Sequence, residues 1–320
     1  MRTPVCELLG IEQPIVQAPM SALAELAAAV SNAGALGMLA LSWSTPAGDV
    51  VRQTAALTDR PFGGNLIISS DQHRRLDEAL EAGLRIVSLF WGDPAGYVEQ
   101  VHDAKGVVLQ TVGSAEEGRR AVAGGVDVVV AQGWEGGGHV QSQVATLPLV
   151  PAVVDAVAPV PVIAAGGIGD ARGVAAVFAL GAQAAWLGTR FLLAQEMPLN
   201  EEYRRRVIDA VETDAQWYAD LYDVGWPDAP HRALRNSTTA MWEAAGRPPL
   251  GSRPKEGVIA QFPSGEEILR YEPAAPMAGT TGEIEALSLW AGQSVALAKR
   301  PQSAAEIVAE LVSRLESSPA

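Results

Sequence analysis

The sequence predicts an α/β chain folded as a (β/α)8 TIM barrel, with a C-terminal excursion and helices packed on it. From Ile15 to about Leu193, short apolar runs alternate with longer helical segments, the alternation that a parallel sheet requires. Several of the runs are continuous in Val, Ile and Leu, as strands buried on both faces are. Glycine-rich loops follow the last two runs, where barrels that hold phosphorylated ligands place their anion site. A doubly wound open sheet is the alternative that alternation by itself leaves open.

The strand candidates are Ile15–Ala18, Leu36–Ala40, Phe62–Ile67, Ile86–Phe90, Val107–Thr111, Val126–Ala131, Pro161–Ala164 and Ala184–Leu187. Between them lie the helical segments Leu23–Asn32, Asp49–Leu57, Gln72–Glu81, Gly96–Asp103, Ala115–Ala123, Leu147–Val157 and Ala171–Leu180, and Glu201–Val211 reads as a charged eighth helix. After it the texture changes. Trp217 to Tyr271 is rich in Pro, Gly and Trp, with prolines at 227, 230, 248, 249, 254 and 263, which argues against one long regular element. Residues 212–282 are therefore expected to form an excursion or lid over the barrel mouth, and residues 1–211 with 283–320 the barrel and its closing helices. Helix is expected again from Glu283 to Ala298. Ser303, with Glu306 three residues on, is a credible N-cap for a last helix.

Function in a parallel barrel gathers at the C-terminal strand ends. The sixth run empties into Ala131–Val140, AQGWEGGGHV, where consecutive glycines end on His139. Glycines permit close backbone approach to a flat ligand, and a histidine beside it is easily poised to exchange a proton. Gly166-Gly167 after the seventh run and Gly188-Thr189 after the eighth offer backbone N–H groups to one phosphate, helped by the helix that follows. Amide side chains at Asn65, Gln110 and Gln132 can bond a heteroaromatic edge, and Met20 can pack on its face. Singly these are ordinary strand-end residues; together they describe the rim and floor of a flavin mononucleotide (FMN) pocket. Trp134, Phe90, Trp91 and Trp186 line a pocket or fill core.

Formal charge is −14, from 23 basic and 37 acidic side chains, which argues against nucleic-acid binding. One cysteine, Cys6, excludes an internal disulfide and a cysteine-rich metal site. His73, His102 and His231 lack partners at ligand spacing, so no metal is expected. Serine hydrolysis has no GxSxG elbow to support it. With no apolar leader and no bilayer-length run, the expectation is a cytoplasmic protein without membrane partners.

Gln17-Ala18-Pro19-Met20, the run Leu26–Gly34, the loop Gln132–His139, Ala164–Ile168, Gly188-Thr189-Arg190-Phe191 and Ala291-Gly292-Gln293 together resemble the nitronate monooxygenase family, formerly called 2-nitropropane dioxygenase. The resemblance implies an FMN-dependent TIM-barrel oxidoreductase, related to the flavin-dependent enoyl-acyl-carrier-protein reductases. It implies FMN contacts from Ala18, Pro19, Met20, Asn65, Gln132, Gly137, Gly166, Gly167, Gly188 and Thr189, to which the strand-end amide of Gln110 adds a further candidate contact, and His139 as the catalytic histidine. The implied reaction is oxidation of an alkyl nitronate by oxygen to a carbonyl compound and nitrite. Implied partners are a small-molecule substrate and oxygen, with a homodimer as one assembly open to the chain. Three positions depart from the family pattern. The loop after Met20, SALAEL, is shorter than usual; Gln110 stands where many members have lysine; Gly136 replaces a common alanine. Two other readings stay open at this point: a nicotinamide-dependent reductase of enoyl-thioester or quinone substrates, and a flavin-binding protein without turnover. Barrels of the inosine-monophosphate dehydrogenase type share the phosphate loops, but their nucleophilic cysteine has no counterpart after the sixth strand.

Overall fold

The computed structural model describes residues 2–43 and 46–315. Strands β1 (Ile15–Gln17), β2 (Gly37–Ala40), β3 (Phe62–Ile67), β4 (Ile86–Phe90), β5 (Val107–Val112), β6 (Val128–Gln132), the two-residue β7 (Gly138–His139), β8 (Val162–Ala165) and β9 (Ala184–Leu187) follow one another along the chain. All but β7 form one parallel sheet in the order β1-β9-β8-β6-β5-β4-β3-β2. Its ends meet, because Val16 bridges Leu36 and the Gln17 N–H donates to Leu36 O at 2.9 Å. The sheet is thus a barrel, not the open doubly wound alternative, which would leave two edges.

Side chains alternate across each strand and so divide into two apolar layers. Val16, Met38, Ile86, Leu109, Val128, Val130 and Ile163 fill the barrel interior. Ile15, Leu39, Val87, Val108, Val129 and Val162 face outward under the helices. Helix α1 (Pro4–Leu9) adds Val5, Cys6 and Leu9 to the interior cluster, so it closes the end opposite the site. Helices α2 (Ala24–Asn32), α3 (Ala47–Ala55), α4 (His73–Glu81), α5 (Tyr97–Asp103), α6 (Ala115–Ala123), α7 (Thr146–Val157), α8 (Ala171–Ala179) and α9 (Glu201–Asp209) follow the strands.

The excursion has its own regular elements: β10 (Ala215–Tyr218), β11 (His231–Leu234), α10 (Ser237–Ala244), β12 (Val258–Gln261), β13 (Glu267–Leu269) and β14 (Thr281–Gly282). Strand β11 pairs antiparallel with both β10 and β7, which ties the excursion to the loop that carries His139. Tyr218, Leu221, Tyr222, Trp242 and Tyr271 form a small core of its own.

One sequence expectation fails. Glu283 to Ala298 is not a helix but two 3₁₀ turns, Ile284–Ala286 and Gln293–Leu297, joined by extended chain. The cause is β11: the Leu234 N–H donates to Leu289 O at 2.8 Å and Ala233 bridges Trp290, so these residues are held extended along its edge. The closing helix α11 (Ala304–Val312) is present, with Ser303 and Glu306 capping each other's backbone.

Arg253 holds the excursion core electrostatically. Its guanidinium makes two bonds to Asp223, at 2.5 and 3.0 Å, and lies over the Tyr271 ring. The Arg253 side chain is 1% exposed and that of Asp223 11%. Arg253→Met should strand a buried carboxylate and cost about 3–5 kcal/mol. Urea denaturation would read this, and adding Asp223→Asn should return much of the loss.

Candidate active site

A cavity of about 670 Å³ opens at the C-terminal strand ends. Ala18, Pro19, Met20, Asn65, Gln132, Gly137, His139, Gly166, Gly167, Gly188 and Thr189 all line it. Gln110 does not line it. Its side-chain N–H donates to Gly92 O at 3.1 Å, and Thr111 takes the cavity position from β5. Sequence spacing places both residues at a strand end; only the strand's side-chain alternation separates them.

The glycine loop is shaped by what presses on it. A Cβ at Gly137 would come within 2.3 Å of Gly292 N and 2.5 Å of Ala291 C, so the two backbones pass with no room for a side chain. Gly292 N–H donates to Thr189 Oγ1 at 2.8 Å, and Gln293 N–H to Glu135 O at 3.0 Å. The Glu135 carboxylate accepts from Thr146 N and Oγ1, both at 2.9 Å, so this residue orders the loop against the start of α7. Gly166 and Gly167 have φ of +97° and +71°, which suits glycine. The first turn of α8 is already capped, since Asp170 accepts from Arg172 N and Gly173 N. An anion beside these loops therefore meets loop N–H groups more than a free helix terminus. Arg190, adjacent to them in sequence, points elsewhere: it is buried and bonded to Gln302 and Glu310.

His139 stands in a box of rings. Trp226 stacks on it with centroids 4.0 Å apart, Trp290 lies at 5.4 Å, His231 at 5.8 Å and Trp91 at 6.1 Å. Trp91 keeps a left-handed φ of 65° within this cluster, a conformation costly for a bulky residue and held by its packing. His139 Nε2 is buried without a hydrogen-bond partner, as is Gln132 Oε1. Burial, with the neighbouring His231 ring second, pushes the His139 pKa down to about 3. His231 is fully buried, accepts from Tyr222 N–H at 3.2 Å and donates from Nδ1 to Ala229 O at 2.9 Å; burial lowers its pKa to about 4. Both rings are neutral at pH 7. Trp226, Trp290 and His231 escape sequence reasoning, because only the β7–β11 pairing, His139 opposite His231, brings them here. The tryptophan-rich composition of the excursion was the one available signal. His73 and His102 sit on outer helices, His73 stacked on Tyr97 and His102 bonded to Asp127.

The residues present fit FMN. The unpartnered Gln132 oxygen and the amide of Asn65 offer acceptor and donor groups to a heteroaromatic ring, and left-handed glycines hold the loops on which a phosphate would rest. Comparison with known proteins agrees. The family described as nitronate monooxygenase matches over residues 2–74 and 69–314. A nitronate monooxygenase of Paraburkholderia phytofirmans is 33% identical, over 97% of this chain and 94% of that protein. The chain belongs to the nitronate monooxygenase family. Another relative, from Mycobacterium tuberculosis, is (3aS,4S,5R,7aS)-5-hydroxy-7a-methyl-1-oxo-octahydro-1H-indene-4-carboxyl-CoA dehydrogenase, 37% identical over 77% of this chain and 70% of that protein. The solved structure of FabK from Thermotoga maritima superposes with a TM-score of 0.82 at 29% identity, covering 99% of this chain and 96% of that one. As a nitronate monooxygenase family member, the chain is placed among FMN-binding oxidoreductases and shares the fold of FabK.

Two measurements test this geometry. Gly137→Ala should lower stability by about 1–3 kcal/mol through overpacking in thermal unfolding. Gly136→Ala should be nearly neutral, because a Cβ there meets its nearest atoms at 3.4 Å. Acidification should also destabilise the protein. Both histidines have folded pKa values below 6.5, so the unfolded chain binds protons that the folded chain refuses. Their stabilising contribution is present above pH 6.5 and declines as pH falls toward about 4 for His231 and about 3 for His139. Denaturation at a series of pH values should show that decline, and His139→Asn should make it shallower.

Proposed function

We propose that this chain oxidises nitronates and their parent nitroalkanes, with FMN as cofactor and oxygen as final electron acceptor, to a carbonyl compound and nitrite. The observation that carries the reading is His139: a neutral imidazole with an unpartnered Nε2, in the same cavity as the loops suited to a flavin phosphate. Bound FMN supplies two-electron chemistry between substrate and oxygen.

The chain's own residues do the rest. Gly166, Gly167, Gly188 and Thr189 hold the phosphate by backbone N–H groups. Ala18, Pro19 and Met20 pack on the ring, Asn65 and Gln132 bond its polar edge, and Gly137 permits close approach. Gln132 donates to His139 O at 3.4 Å, which links the ring-binding amide to the backbone of the acid–base residue. With a nitroalkane, neutral His139 accepts the α-proton. The negative charge that develops beside it counteracts the burial that depresses its pKa. With a nitronate, which has lost that proton, the ring in its other tautomer has only to donate a hydrogen bond from Nε2–H to a nitro oxygen. His231 keeps a second neutral ring next to it and so adds no fixed charge.

The test is anaerobic titration of the yellow holoprotein with propyl-1-nitronate or NADH while following flavin absorbance. Bleaching by the nitronate alone is expected; bleaching by NADH alone would move the assignment to a nicotinamide-dependent reductase. His139→Asn should retain flavin yet lose roughly 10²–10⁴-fold in turnover, more for nitroalkane than for nitronate. Gly167→Asp should purify without flavin, since a carboxylate there repels the phosphate.

A further inference from the structure

Part of the cavity wall is not used by the residues assigned to the cofactor. Trp43, Phe90, Trp226, Trp290, Pro273 and Met277 line it, and all present apolar surface. Trp226 is the centre of this wall. It stacks on His139, Trp91 meets it edge-on at 5.6 Å, and Trp43, half exposed at 53%, lies tilted against it at 5.6 Å. Trp226 lies on the segment joining β10 to β11, and His139 pairs with the first residue of β11. One three-stranded sheet therefore carries both the proton acceptor and the ring beside it.

The charge around this wall is as informative as its shape. Among the described residues that line the cavity none is lysine or arginine, and Glu272 is the one carboxylate. Away from the glycine loops whose N–H groups suit the flavin phosphate, a substrate carboxylate would meet no side-chain cation among the described lining residues, and an unpaired buried charge is costly. A short alkyl chain would leave most of the aromatic surface uncovered, whereas a ring system would cover it.

We propose that this wall recognises an uncharged cyclic carbon skeleton and that Trp226 sets the preference. The inference rests on the reading that His139 faces the reacting substrate; under the proposed activity it makes the favoured substrate a nitronate or nitroalkane whose carbon skeleton is an otherwise uncharged ring.

Calorimetric titration of the oxidised holoprotein tests the skeleton without turnover, using tetralone, a tetralone carboxylic acid and butanone as probes. Tetralone should bind about tenfold tighter than either of the others. Trp226→Ala should weaken tetralone roughly tenfold and change butanone by less than about twofold, while Trp226→Phe keeps most of the preference. Equal affinity for tetralone and butanone in the wild-type protein would overturn the inference, and so would a carboxylate that binds as well as tetralone. The wild-type comparison decides this even where a variant fails to fold. Oxidation of nitrocyclohexane against nitroethane, each as the nitroalkane and as its nitronate, is measured separately. If neither is oxidised but the binding order holds, the activity reading falls and the skeleton preference stands.

Discussion

The site depends on one contact that admits no side chain: the backbone of Gly137 lies directly against Ala291 and Gly292. From that crossing, short hydrogen bonds run outward to Thr189 and Glu135, and Glu135 continues the connection to Thr146 at the start of α7. Loops after three different barrel strands, β6, β8 and β9, thereby share one rigid frame with a segment more than a hundred residues later. Backbone-to-backbone contact has little rotamer freedom, so it fixes the loops more tightly than side-chain packing would. The glycines at 137 and 292 are thus structural requirements before they are functional ones.

The excursion completes the chemistry that the barrel begins. A barrel alone would leave His139 on an exposed loop, with a pKa near that of free imidazole. Pairing of β7 with β11 places His231, Trp226 and Trp290 around it, and desolvation then keeps the ring unprotonated. A neutral imidazole can accept a proton but brings no charge of its own. The surrounding wall has the same character, apolar and without a cation among the described lining residues. Under the proposed function, acid–base chemistry and substrate selection are both produced by the same packing, and a change in the excursion should be felt in both.

Much of this was legible in the residues. The barrel strands announce themselves because Val, Ile and Leu fill both faces of a closed parallel sheet, and the glycine and histidine loops because glycines cluster where side chains cannot fit. Gln110 does not line the cavity and its neighbour Thr111 does: both are close to the strand end, and one residue of alternation decides which faces the cavity. Glu283 to Ala298 has the apolar content of a helix, but the stretch of β11 beyond the short β7 claims Leu289 and Trp290, and the contact with Gly137 claims Gly292. Tertiary demand overrides local propensity there. Arg190 follows Gly188-Thr189 in sequence and is turned toward α11 in space by Glu310.

By itself the sequence determined the parallel α/β sheet, the strand ends that carry its loops, and His139 as the titratable residue after the sixth strand. These follow from local rules: side-chain period, β-branching and the steric tolerance of glycine all act within a few residues. Closure of the sheet into a barrel came from the β1–β2 contact. The tertiary structure alone decided what surrounds His139, which strand-end amide faces the cavity, and how the excursion meets the barrel. Those outcomes rest on contacts between segments distant in the chain, such as β7 with β11 and Gly137 with Gly292. No local pattern records them, because each partner's own sequence is compatible with many neighbours and only the packed whole selects one.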